Sequence, residues 1–483
     1  MMLEKDQQGS ITSRRMARAV NPLARTHTLW SLLRFTLPSI GMMLVISLYT
    51  VVDGIFIGQY AGANAIAASN IAYPGINLVI GLAIMIASGG SALVAKTLGE
   101  KDQPLASRRF TMLLFATLGI DCLVAALILL FLPEVLAFLG ATPLLYEDAR
   151  LYLGIMTGFA PFLTLLLFFN YFYIVDGAPK LGFAASTLSG LLNGVLDYVF
   201  LAHFHWGIAG AAFATGIGYC AAAAVGLVYF TRYAKTLHFV RPHLGFAALR
   251  DLGQTMSNGS SELVTELAVG FTTFLFNLVT FHYAGEDGIA AITVILYTEM
   301  LMTSILMGFS TGIAPVFSYQ FGAKNGRALR RLMRQALKVL ALFGLLSFGA
   351  SQLFGDIIVR LFLPQGGHVA EMTRRGFLLY SFSFLLVGFN LFTSGFFTAI
   401  SEGLLSALSS FIRNLAAIAV FLIVLPRFLG LTGVWLAVPA ADLAAVLLNV
   451  VLLFWTYDRF RPSAPRPRGM GKRRMAMQTC PEN

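Results

Sequence analysis

The stretch YAGANAIAASNIAYPGINLVIGLAIMIASGGSALVAKTLGEK, residues 60–101, returns as YAGEDGIAAITVILYTEMLMTSILMGFSTGIAPVFSYQFGAK at 283–324. The two align without a gap at an offset of 223 and match at ten positions: Tyr60/Tyr283, Ala61/Ala284, Gly62/Gly285, Ile66/Ile289, Ala67/Ala290, Ala68/Ala291, Leu78/Leu301, Gly89/Gly312, Gly99/Gly322 and Lys101/Lys324. Average composition gives about three. The same offset pairs Gly207 and Gly210 with Gly430 and Gly433. A chain written twice in one order and orientation is a transporter plan, with the substrate path between the halves.

Composition says where these halves sit. Of 483 residues, 57% are hydrophobic and 12% charged, against about 25% charged in soluble domains. That excludes a water-soluble enzyme, a nucleic-acid module and a disordered chain. Apolar stretches run at 29–57, 66–92, 110–132, 149–174, 182–202, 207–230, 252–281, 289–318, 336–362, 375–400, 404–429 and 431–457. Each has the roughly 20 residues a membrane-spanning helix needs. The expectation is an all-α integral membrane protein with twelve transmembrane helices in two pseudo-symmetric six-helix lobes. Its parts are a tail 1–28, a first lobe 29–231, a linker 232–251, a second lobe 252–457 and a basic tail 458–483.

The net charge of +11 is a topology signal. Sorted by side, 28 basic residues fall on the side of the termini and five on the other. This is the positive-inside bias, so both termini are expected in the cytoplasm. Cys122, Cys220 and Cys480 form no disulfide framework, and Ser13-Arg14-Arg15 precedes too long an apolar run for a cleaved export signal. Pro38, Pro74, Pro161, Pro315 and Pro439 are expected to interrupt helices, and Gly89-Gly90, Gly308 and Gly312 to permit close packing or bending.

An ionisable side chain at bilayer depth costs at least ~2.5 kcal/mol, which makes each a functional candidate. There are seven: Asp53, Asp121, Asp197, Glu262, Glu266, Glu299 and Asp442. Asn193 and Asp197 stand four apart on one face of span 5. Asp53 and Asp197 each lie a few residues from the outer end of an outward-running span, and Thr215 in span 6 reaches a similar level. Two carboxylates with amide and hydroxyl oxygens make either a hard-oxygen site for Na⁺ or a desolvated pair that takes up a proton near neutral pH. The bland reading is inert helix-to-helix polar contacts. Glu262 and Glu266 share a helix face near mid-depth, with Glu299 at a comparable level. They would attract cationic ligands, unless one caps a bent helix or pairs with Arg413. Asp121 and Asp442 read as structural. Most of the 41 Phe and 16 Tyr read as packing or lipid-facing residues.

The runs LYTVVDGIFIGQYAG (48–62), MIASGGSALVAKTLGE (85–100), NGVLDYVF (193–200) and GIAGAAFAT (207–215) resemble the multidrug and toxic compound extrusion (MATE) family. So do NGSSELVTEL (258–267) and GFSTGIAPVFSYQFGAKN (308–325). The resemblance covers about residues 30–457 and points to the DinF-like bacterial branch. It implies a two-lobed antiporter of a bacterial inner membrane, exporting cationic or amphipathic compounds in exchange for H⁺ or Na⁺ and using no cofactor. It also implies a first-lobe cation site at Asp53, Asn193, Asp197 and Thr215, with Asn170 a weaker match to a fourth-helix Asn. Glu262 or Glu266 matches a seventh-helix Glu of the NorM-like branch. Span 10 lacks that branch's acids, so Glu262, Glu266 and Glu299 are assigned to substrate or lobe electrostatics. The expected partners are small organic cations and the bilayer, with no nucleic acid and the chain acting as a monomer.

Three rivals remain. A flippase for a lipid-linked precursor wants a basic central cavity, for which only Arg413 and Arg34 are candidates. A membrane enzyme wants clustered His and acids, but all seven His fall in loops, tails or at span ends. A simple channel differs from an antiporter by lacking counter-transport.

Overall fold

In lipid a backbone N–H or C=O can bond only within its own helix or a closed barrel, so long apolar runs become helices. The computed structural model describes residues 22–25, 28–242, 245–363 and 366–456. Its spans are α1 (Leu29–Ala61), α2 (Ala63–Gly99), α3 (Gln103–Leu130), α4 (Tyr146–Val175), α5 (Pro179–His203) and α6 (Gly207–Arg232). One continuous helix, Phe246–Gly322, follows. At 77 residues it is about 115 Å long, far beyond a ~30 Å hydrocarbon core. Gly285, at φ 60 and ψ −149, divides it into α7 (246–284) and α8 (286–322). Then come α9 (Gly326–Arg360), α10 (His368–Ala399), α11 (Gly403–Leu429) and α12 (Leu431–Thr456). Twelve spans result, six in each half of the repeat. The chain is a multi-pass membrane protein. Expectations for residues 1–21 and 457–483, Cys480 among them, lie outside the described residues.

The prolines behave less uniformly than expected. Pro161 stands where α4 bends by 53° around Phe159. Pro38, Pro74, Pro315 and Pro439 sit inside helices that run on through them. Each removes one intrahelical donor, but neighbouring spans hold both arms in line.

The lobes meet along α1, α2, α7 and α8. Residues 83–95 of α2 are buried without a break, as suits a helix at the centre of the molecule. Glycines set the spacing. A Cβ on Gly89 would fall 2.1 Å from the Thr255 carbonyl oxygen, and one on Gly259 1.9 Å from that of Met85. One on Gly99 would fall 2.1 Å from the Tyr319 carbonyl, and one on Gly322 2.0 Å from that of Lys96. A Cβ on Gly308 would fall 2.6 Å from the Cα of Ile40 in α1. Backbones therefore touch directly, which is how helices adhere where lipid supplies no hydrophobic drive.

These contacts seal the end of the molecule where α1 begins and α2 ends, here the basic end. Two polar links reinforce them. Arg109 of α3 forks onto Asp251 of α7 at 2.8 and 3.0 Å, and also reaches Thr97 Oγ1 at 2.7 Å. Gln320 of α8 donates to the Leu23 carbonyl at 3.0 Å, tying the turn Pro22–Ala24 to the second lobe.

Candidate functional site

Asp53 lies one turn before a π-helical segment, Ile57–Ala61, and Asp197 immediately before another, Tyr198–His203. Such segments add a residue to the turn and change where side chains point. Asp197, Asn193 and Thr215 are 0%, 2% and 7% exposed, while Asp53 is half-buried. Asp53 faces Asn193, Asp197 and Thr215, and Asp197 faces Asp53 and Asn193. Asn193 Nδ2 donates to Thr215 Oγ1 at 3.0 Å. Oδ1 of Asp53, both oxygens of Asp197 and Oδ1 of Asn193 are buried without a donor. Two facing carboxylates away from water need a positive charge between them, either a proton or a metal cation.

Four of the residues expected together are therefore together. Asn170 is not with them. Its amide donates to Ser186 Oγ at 3.3 Å, and Ser186 stands seven residues, about two turns, before Asn193. Sequence reasoning missed the tyrosines around the pair: Tyr49, Tyr73, Tyr152 and Tyr219 all face Asp53. Only Tyr49 carried a signal, four residues before Asp53 on the same face.

The three glutamates divide into two settings. Glu262 and Glu266 lie where α7 crosses α2. Ser88 Oγ donates to Glu262 at 3.4 Å, and Gly81 lets the Glu266 Cβ within 3.3 Å of the Cβ position it leaves empty. Glu262 lines a cavity of about 80 Å³ with Ser88, Tyr171, Thr311 and Arg413. Tyr73 lies within electrostatic reach of both Glu266 and Asp53. Glu299 belongs elsewhere: it accepts from Tyr380 and faces Arg413 and Asp442.

Arg413 pairs with Asp442 at 2.7 Å, not with Glu262 or Glu266. It projects from a π-helical segment of α11, Ile412–Ala417. Asp442 also accepts from Ser383 and, at 3.1 Å, from Asn390 Nδ2. Asn449 joins the network by donating to Asn390 Oδ1 at 3.0 Å. Asp121, the other acid read as structural, accepts from Thr164 at 2.6 Å.

The fold is that of a two-lobed, duplicated membrane protein, with a facing pair of acids in its first lobe. Residues 38–199 and 263–423 match the MatE family model, one stretch in each half of the repeat. The chain belongs to that family of transporters and is not an enzyme. It is similar to multidrug export protein MepA of Staphylococcus aureus (strain NCTC 8325 / PS 47), at 24% identity over 429 residues. The match covers 89% of this chain and 94% of the relative. MepA of Staphylococcus saprophyticus is 23% identical over 438 residues, with the same coverage. Among solved structures, a multidrug resistance MATE family transporter of the MOP superfamily in an outward-facing conformation superposes with a TM-score of 0.85 at 22% identity. A MOP superfamily transporter from Pyrococcus furiosus gives 0.83 at 21%. Each covers 92% of this chain and 98% of the other, and at such identities they establish the fold.

Proposed function

We propose that this protein is a secondary active antiporter that exports organic cations and amphipathic compounds across a bacterial inner membrane in exchange for H⁺ or Na⁺. The observation that carries the reading is the facing pair Asp53 and Asp197, three of whose carboxylate oxygens are buried with no donor supplied to them. The names borne by the relatives favour multidrug export. In this reading the basic end faces the cytoplasm, residues 29–231 and 252–457 are the two lobes, 232–251 connects them, and the chain works as a monomer.

Coupling follows from α1 being one helix. Ser39 and Ile40 press on Gly308 and Gly312 of α8 near the basic end. Asp53 stands fourteen residues further on, about 21 Å away along the helix. A cation or proton at Asp53/Asp197 changes how α1 lies on α5, and the same helix forms part of the seal. Glu262 and Glu266 at the lobe interface attract the cationic cargo. Ion and cargo must favour opposite states by a few kcal/mol for useful exchange. The flippase alternative loses one of its two candidate cations, because Arg413 is held by Asp442 and Asn414. The other, Arg34, lines the groove at the start of α1 and not the cavity beside Glu262.

The test is ethidium efflux from energised cells expressing wild type or Asp197→Asn at matched membrane levels. It is run with and without a protonophore and with Na⁺ replaced. Loss of efflux in the variant supports the ion site, and the ion dependence names the driver. Undiminished efflux by Asp197→Asn refutes it.

A further inference from the structure

Four cations of the basic end converge on one groove. Arg25, Arg34, Lys180 and Lys235 line an open recess of about 1100 Å³ between the starts of α1 and α5 and the end of α6. All four are exposed. Among the described residues no carboxylate pairs with any of them. An acid beside the groove is already used. Asp176 is 0% exposed and accepts from Tyr229 Oη at 2.6 Å and from the backbone N–H groups of Lys235, Thr236 and Leu237 at 2.7–2.9 Å. Those bonds hold the turn that presents Lys235 at the rim.

Below the rim the walls are apolar: Phe35 and Pro38 of α1, Leu181 and Ala184 of α5, Val225 and Val228 of α6. Pro38 is nine residues into α1, about 14 Å along it. A headgroup layer is only about 5–7 Å thick on each side of the bilayer, so the recess runs from headgroup to acyl-chain depth. The positive-inside bias asks only for a count of basic residues on one side. It does not ask four of them to ring the mouth of a greasy slot. A basic pocket between helices at that depth suits a lipid with an anionic headgroup.

We propose that this groove is a binding site for an anionic diacyl phospholipid of the leaflet facing the basic end. Its phosphate sits among Arg25, Arg34, Lys180 and Lys235, and one acyl chain lies between α1 and α6. The site is separate from the ion pocket, which lies towards the other end of α1 and α5, and it does not depend on which ion or drug is carried.

The full chain is purified and exchanged into nanodiscs of phosphatidylcholine alone or with phosphatidylglycerol. Retained lipid is then counted by native mass spectrometry after mild delipidation, and thermal unfolding is measured in both lipids and with inorganic phosphate. Wild type should keep one phosphatidylglycerol and melt several degrees higher with it. The variant Arg34→Gln/Lys180→Gln/Lys235→Gln should melt as wild type does in phosphatidylcholine and lose both effects. Ala184→Trp, which fills the wall and keeps the charge, should also lose retention. Equal retention of phosphatidylcholine by wild type, retention unchanged in either variant, or the same protection from inorganic phosphate alone would overturn the proposal.

Discussion

Replacing Gly322 by alanine tests whether direct backbone contact holds the basic end shut. The added Cβ would stand 2.0 Å from the Lys96 carbonyl oxygen. Both sides of this collision are main chain, so no side chain can rotate away. To reach an ordinary carbon–oxygen separation of ~3.4 Å, α2 and α8 must part by about 1.4 Å. Overpacking of this kind costs about 1–3 kcal/mol, which moves a two-state ratio roughly 5- to 150-fold. Gly322→Ala should therefore deplete the state sealed at the basic end. Spin labels at Arg108→Cys and Arg331→Cys, exposed positions at the starts of α3 and α9 in the two lobes, report the separation by pulsed dipolar spectroscopy in nanodiscs. Longer distances should gain population. Gly119→Ala is the control, since nothing lies within 4 Å of its Cβ position, and it should leave the distribution alone. If Gly322→Ala gives the wild-type distribution, the glycine contacts do not set the closed state.

Two further outcomes are expected. Arg413→Gln leaves Asp442 buried at 1% exposure without its ion-pair partner and should lower unfolding stability by about 3–5 kcal/mol. Adding Asp442→Asn should recover part of that loss, and a single variant as stable as wild type would mean that the pair is not needed. Asp176→Asn replaces an acceptor facing Tyr229 and Lys235 with a donor, at about 1–3 kcal/mol. Hydrogen exchange at residues 234–240 should accelerate while α6 above it stays protected, and an unchanged rate would dismiss Asp176 as the anchor of that turn.

How much of this was legible depended on how far apart the cooperating residues lie. Twelve spans and the duplication could be read because periodicity and offset are local properties of the chain. Asn193 and Asp197 share a helix face, and equal depth placed Asp53 and Thr215 beside them. The pairing of Arg413 with Asp442 was not legible. It joins different helices, and the π-helical turn at Ile412–Ala417 rotates Arg413 away from the direction a regular helix would give it. Mid-depth alone grouped Glu299 with Glu262 and Glu266, yet depth says nothing of azimuth, and Glu299 faces Tyr380. Asp176 at the foot of α4 carried no signal, because three of its partners are backbone amides that no sequence pattern marks.

The contact of Gly99 with Tyr319 and that of Gly322 with Lys96 have a common origin. Adding 223 to 99 and subtracting it from 319 turns one pair into the other, and the two clearances agree at 2.1 and 2.0 Å. Residue i meets j where j meets i, which is the signature of an isologous interface between two identical subunits. At these four residues the lobes meet as two copies of one subunit would about a two-fold axis. A change at Gly99 therefore meets Tyr319, and the equivalent change at Gly322 meets Lys96. Two half-length chains, cut between α6 and α7, would each still carry one of these complementary surfaces.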